Sequence, residues 1–156
     1  MRAFILIIVL LLGVILTPAH AQTAAKLEAV FNNPQLNYRD AAIFILEASE
    51  KAVFNDPTEA FQFAMDNKWL PKKAQGADTA TLKGISLLFM RSFNMKGGIF
   101  FSLFGSPRHA FRELVQMEVI RLNTDPDMAV SGPELLLMLG RLTGLRELAE
   151  EKAARK

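Results

Sequence analysis

The sequence predicts an all-α fold: a compact bundle of helix–long loop–helix repeats, about two and a half units of them. Three observations predict it. First, sliding the chain by 50 residues places Phe54, Pro57, Ala60, Phe61, Leu87 and Arg91 on Phe104, Pro107, Ala110, Phe111, Leu137 and Arg141 without a gap. Second, the apolar residues after each of these prolines fall on one helical face. They are Phe61, Ala64, Met65 and Trp69 in one unit and Phe111, Leu114, Val115 and Val119 in the other. Both sets follow the i, i+3, i+4, i+8 rule. Third, a capping signal opens each following helix: Thr81 in one unit, and Ser131 with Glu134 as a capping box in the other.

The elements follow in order. Unit one spans residues 54–94 and unit two residues 104–144. In each, a proline at the first turn starts a short amphipathic helix, since its missing N–H costs nothing there. The loops "PKKAQGADTAT" and "RLNTDPDMAVSG" are rich in turn formers. The second helices, "ISLLFM" and "LLLML", are apolar all round. Such helices belong in the middle of a bundle, with Leu87 and Leu137 in the core. A partial unit, residues 37–53, precedes them. Asn37 caps its helix, Asp40 takes the Glu place of the box, and Ala41, Ile43, Phe44 and Ile45 align with Ile85, Leu87, Leu88 and Phe89. Residues 22–36 are expected to be a linker and the charged residues 145–156 a solvated tail.

The N-terminus carries an address. Arg2 is followed by an apolar run from Ala3 to Leu16, then Pro18 and the small-x-small pattern Ala19-His20-Ala21. The run is shorter than the roughly 20 residues a membrane span needs. Residues 1–21 read as a secretory signal peptide cleaved between Ala21 and Gln22, which leaves no transmembrane segment in the mature chain. The expected location is the periplasm or cell envelope. The chain has no Cys, so an exported domain of this sequence must hold itself together by its core. A net charge of +2, which includes Arg2, gives no electrostatic footprint for nucleic acid.

An aromatic residue, one residue, then Asp, then a short amphipathic helix, a loop and a Thr/Ser-x-x-Glu helix start form a recognisable pattern. Here it reads Phe54-Asn55-Asp56 and Phe104-Gly105-Ser106, then "MAVSGPELLLML". This resembles the S-layer homology module, over residues 37–143. The resemblance implies a helical domain of three such units that docks exported proteins onto cell-wall glycan. The signature Arg of that family is Tyr38, Leu82 and Gly132 in this sequence, and its Glu is Gly84 in unit one. The resemblance therefore implies the fold more firmly than the ligand.

No catalytic set is legible. Beyond residue 21 there is one His, His109, and no nucleophile-elbow, His-Glu-x-x-His or phosphate-loop motif. His109 and the acidic pair Glu113 and Glu118 read as solvated helix surface. The loop Asn123–Glu134 has the oxygen spacing of a calcium loop, with Asn123, Asp125, Asp127 and Glu134 as candidate ligands. Met128 stands where the loop needs Gly, and the equivalent unit-one loop, starting at Lys73, keeps the length without ligands. Turn formation and capping are the favoured reading, and no cofactor or metal is expected.

"IFFSLF", Ile99 to Phe104, is expected to be a connector packed between units, with Leu103 and Phe104 in the core like Val53 and Phe54. Ile99, Phe100 and Phe101 are expected to join them, or otherwise to form an exposed apolar patch for a partner. The candidate binding residues are Arg91 and Arg141, at matching places in the two units, together with Phe100, Phe101 and Trp69. The expected function is non-enzymatic: binding of cell-wall glycan or an envelope protein. The alternatives are an exported helical protein holding an apolar ligand or peptide in a groove, and a calcium-binding helix–loop–helix protein.

Overall fold

A computed structural model describes residues 18–155, and over them the protein is all-helical. Residues 1–17 and 156 lie outside the described residues, and with them most of the stretch 1–21 expected to be a signal peptide. The helices are α1 (Pro18–Phe31), α2 (Tyr38–Ala48), α3 (Pro57–Asp66), α4 (Leu82–Ser92), α5 (Ile99–Phe104), α6 (Pro107–Gln116) and α7 (Gly132–Ala154). Among the described residues no helix is long and apolar enough to cross a membrane.

The expected starts are where the capping chemistry puts them. Asn37, Asp56, Thr81, Ser106 and Ser131 each accept a backbone N–H from the first turn of the helix they cap. In α2 the contact is two-way, with Asp40 N–H donating to Asn37 Oδ1 and Asn37 Nδ2 donating to Asp40 Oδ2, both at 2.9 Å. Pro57 and Pro107 occupy the first turns of α3 and α6.

What joins these starts is a ring of backbone. Leu36, Ala80 and Val130 each stand one residue before a cap. Ala80 N–H donates to Leu36 O at 2.8 Å, Val130 N–H to Ala80 O at 2.9 Å, and Leu36 N–H to Val130 O at 2.9 Å. The three side chains are buried, so the closed cycle satisfies polar backbone that water does not reach. Isolated bridges Asn37–Thr79 and Thr81–Ala129 extend it. From this hub α2, α4 and α7 radiate. α4 lies against α2 and α6, α2 also holds α3 and touches α7, and α5 rests on α6.

The residues expected to be a linker are instead largely helix. α1 packs on α7, Val30 is buried, and Gly132 N–H donates to Asn33 O at 2.8 Å. Polar residues interrupt this stretch, but Leu27, Val30 and Phe31 keep helical spacing, and α7 supplies the surface they need. The expected cleavage point, Ala21–Gln22, falls within α1. The expected tail, from residue 145, continues α7 as exposed helix.

α4 is buried all round, as expected: every residue except Lys83 and Arg91 is hidden. Its Ser86 and Ser92 hydroxyls donate back to Leu82 O and Phe89 O. α7 departs from expectation. Leu135, Met138 and Leu139 are buried, but Leu137 is 45% exposed. The connector departs further. "IFFSLF" is a short helix of which only Phe101 is buried, while Ile99, Phe100, Leu103 and Phe104 are 64–76% exposed. Val53 is exposed too; Phe54 alone of that group packs on the core, against Phe63. α5 closes at Gly105, whose φ of +52° suits glycine and lets its N–H reach Phe101 O at 2.8 Å.

Candidate functional site

Two of the concavities sit at matching places in the two units. The larger, about 560 Å³, is lined by Ile120, Arg121, Glu134, Leu137 and Arg141, among others. The smaller, about 420 Å³, is lined by Lys68, Leu70, Lys72, Leu87, Arg91 and Phe104, among others. Leu70, Leu87 and Arg91 are the register partners of Ile120, Leu137 and Arg141, so each candidate arginine stands at the mouth of an equivalent groove between helices.

The two guanidinium groups are held differently. Arg141 is half-buried, and its Nη1 donates to Glu118 O at 3.2 Å and Val119 O at 2.9 Å, the carbonyls just past the end of α6. That occupies one nitrogen of the fork of a side chain that also lines the groove. Arg91 is exposed. Its guanidinium lies over the Phe101 ring, 5.2 Å from the centroid, and beside Gly105, where an added Cβ would fall 2.5 Å from Nη2.

The remaining candidates separate. Phe101 is the buried platform under Arg91, and Phe100 projects from the opposite face of α5. Trp69 is half-buried in an edge-on contact with Phe63 at 5.6 Å and packs on the core, and it does not line the groove. Sequence reasoning missed Lys68, Lys72 and Arg121 as groove residues. Each stands within a few residues of its unit's Leu70 or Ile120, which is the signal that the repeat register offered.

The loop Asn123–Glu134 is held by its own turn chemistry. Asp125 Oδ1 accepts the Asp127 N–H at 2.9 Å, Asp127 pairs with Lys83, and Thr124 Oγ1 donates to Arg121 O. Glu134 N–H donates to Ser131 Oγ at the start of α7. Among the described residues no group of three or more His, Asp or Glu side chains gathers as a metal site. Burial raises the Glu134 carboxyl above its ordinary value, against a backbone hydrogen bond from Ser131 and the charge of Arg121, which lower it.

Tyr38 and Gly84 touch each other in the folded protein. Tyr38 is buried, its hydroxyl lies 3.1 Å from Thr81 Oγ1, and the ring passes so close to Gly84 that a Cβ there would overlap Tyr38 Oη.

His109 Nδ1 lies 2.7 Å from Ser106 Oγ, a spacing that a nucleophile and base would share. The hydroxyl already accepts the His109 N–H as the cap of α6, and the ring is stacked on Phe100 and Phe104. The arrangement is that of a capped helix start carrying an aromatic stack. No protein-family model matches this chain, and no curated protein or solved structure does either.

Proposed function

We propose that this chain is an exported, non-enzymatic binding module of divergent S-layer-homology type, and that it binds anionic groups of cell-wall glycan or of an envelope protein through its inter-helix grooves. One observation carries the reading. Arg91 and Arg141 line two concavities that share the same apolar wall, Leu87 with Leu70 and Leu137 with Ile120. Arginine at the mouth of such a groove offers a planar fork to a carboxylate or phosphate. The repeat reading is supported by the closed backbone cycle at Leu36, Ala80 and Val130, which treats the starts of α2, α4 and α7 alike. Export is supported by Arg2, the apolar run from Ala3 to Leu16 and Ala19-His20-Ala21.

With Tyr38 and Gly84 used internally, the family's usual Arg and Glu are not what contacts ligand in this reading; Arg91 and Arg141 replace them. The test is co-sedimentation of the protein with purified wall sacculi, alongside retention of solubilised envelope proteins. Arg91→Ala with Arg141→Ala should weaken retention at least tenfold while leaving the helical circular dichroism intact, since a desolvated charge-assisted pair is worth about 1.5–3 kcal/mol. Unchanged retention in the double variant would sink the groove assignment.

A further inference from the structure

α5 has two opposite faces. Phe101 points into the protein beneath Arg91, whereas Ile99, Phe100, Leu103 and Phe104 stand out from it, each about two-thirds exposed or more. Four large apolar side chains on less than two turns of helix form a knob, not a groove. The knob is braced. Phe104 and Phe100 stack on the His109 ring at 5.4 and 6.3 Å, and His109 is tied to Ser106. Close approach fixes its inner side as well, for a Cβ at Gly97 would meet Phe101 Cδ1 at 2.5 Å.

The concavity beside the knob is basic. Lys68, Lys72 and Arg91 line the concavity that Phe104 edges, and no acidic residue lines it. Exposed Lys96, three residues before α5, lines a separate concavity with Met117, Leu142 and Arg146, and exposed Arg108, next in sequence to His109, lines another with Lys83 and Asp127. Among the described residues none of these five makes an ion pair. The acidic group that faces α5 is Glu113, against Gly98.

We propose that α5 is a membrane-surface anchor, inserted shallowly into the interface of an anionic lipid bilayer, with Lys68, Lys72 and Arg91 on the headgroups. A bilayer fits the observations better than a folded partner does. A braced apolar knob needs a deep complementary socket in a protein, while acyl chains part around it, and the basic concavity beside it matches phosphate headgroups without any fixed register. Six residues cannot span, but a helix lying in the interface buries its apolar side only about 5–10 Å deep. This goes beyond the wall-binding reading and does not rest on it.

The test uses the full chain carrying Phe100→Trp and Trp69→Phe, so that the one indole reports on α5 whatever the N-terminal run does. With phosphatidylglycerol vesicles containing brominated acyl chains, the indole emission should shift blue and be quenched. With phosphatidylcholine vesicles quenching should be much weaker, and added salt should reverse it. Lys68→Gln and Lys72→Gln should each weaken quenching titrations about fivefold, the factor for one basic group near an anionic surface. Leu103→Ser with Phe104→Ser, both at exposed positions, should abolish quenching without changing the helical signal. An indole that stays unquenched on anionic vesicles overturns the proposal. So does protection of the indole by self-association in gel filtration, or by an acidic peptide, when vesicles give none; those results would assign the knob to a second copy or to a protein partner.

Discussion

α4 and the first turns of α7 have the same register and nearly the same apolar content, yet they end in different surroundings. Leu87 of α4 is 4% exposed, whereas its partner Leu137 is 45% exposed. The cause is position in the array. α4 is sandwiched between α2 and α6, so every face of it meets protein. α7 has α1 and α2 on one side, and among the described residues no further helix covers the side that Leu137 faces, which instead forms the wall of the larger groove. An apolar helix is therefore not by itself a central helix. It is central only where neighbours exist on both sides; both leucines edge a groove, but at the outer unit the residue is left 45% exposed.

The largest expected effect tests that contrast directly. Leu87→Ala should cost about 2–5 kcal/mol in urea unfolding, because it removes buried methyls and leaves a cavity. Leu137→Ala should cost less than about 1 kcal/mol. Equal costs at the two sites would erase the difference between the units.

Next in size is Gly84→Ala. Its Cβ would meet the Tyr38 hydroxyl and ring, so the ring must shift from its place beside Thr81, at a cost of about 1–3 kcal/mol. Combining it with Tyr38→Ala should give a double-mutant coupling energy of opposite sign to the clash, because the smaller residue removes the obstacle. Strict additivity would show that the two positions are independent. The equivalent change at Gly140 of α7, where an added Cβ would meet nothing within 4 Å, should be neutral or slightly stabilising as a helix-propensity gain.

The smallest effect belongs to the groove of α7. Glu134 is held above the ordinary carboxyl value of 4.5 by burial. A raised folded-state value means that the native protein holds this proton more tightly than the unfolded chain. The contribution is present at low pH and is lost as pH climbs from about the ordinary carboxyl value through the raised one. Thermal melts of the parent and of Glu134→Gln should thus diverge over that interval, with the parent losing stability relative to the variant as pH rises. The opposite slope would mean that the Ser131 hydrogen bond and Arg121 outweigh burial.

Much of the helical framework was legible in the sequence because it rests on local chemistry. Caps at Asn37, Thr81 and Ser131 and prolines at 57 and 107 act within one turn of the residues they organise. The amphipathic faces were legible for the same reason, since helical spacing is a property of the chain alone. α1 was missed because its few apolar residues satisfy helical spacing only weakly, and α7 provides what makes them useful. The placement of Arg91 and Arg141 in matching grooves followed from the register. Their different bonding did not, because the carbonyls of Glu118 and Val119 and the ring of Phe101 reach them only after the chain has folded back.

The sequence by itself determined an all-helical fold, the helix starts after Asn37, Asp56, Thr81, Ser106 and Ser131, and the turn chemistry of the loops between them. The tertiary structure alone decided which apolar residues are core. Hydrophobicity says that Ile99, Phe100, Leu103, Phe104 and Leu137 favour burial; it does not say that a neighbour is there to bury them. That depends on which helices flank each segment and on the ring at Leu36, Ala80 and Val130 that sets their directions. Burial is a property of pairs of surfaces brought together over long separations in the chain, and a local pattern describes only one surface of each pair.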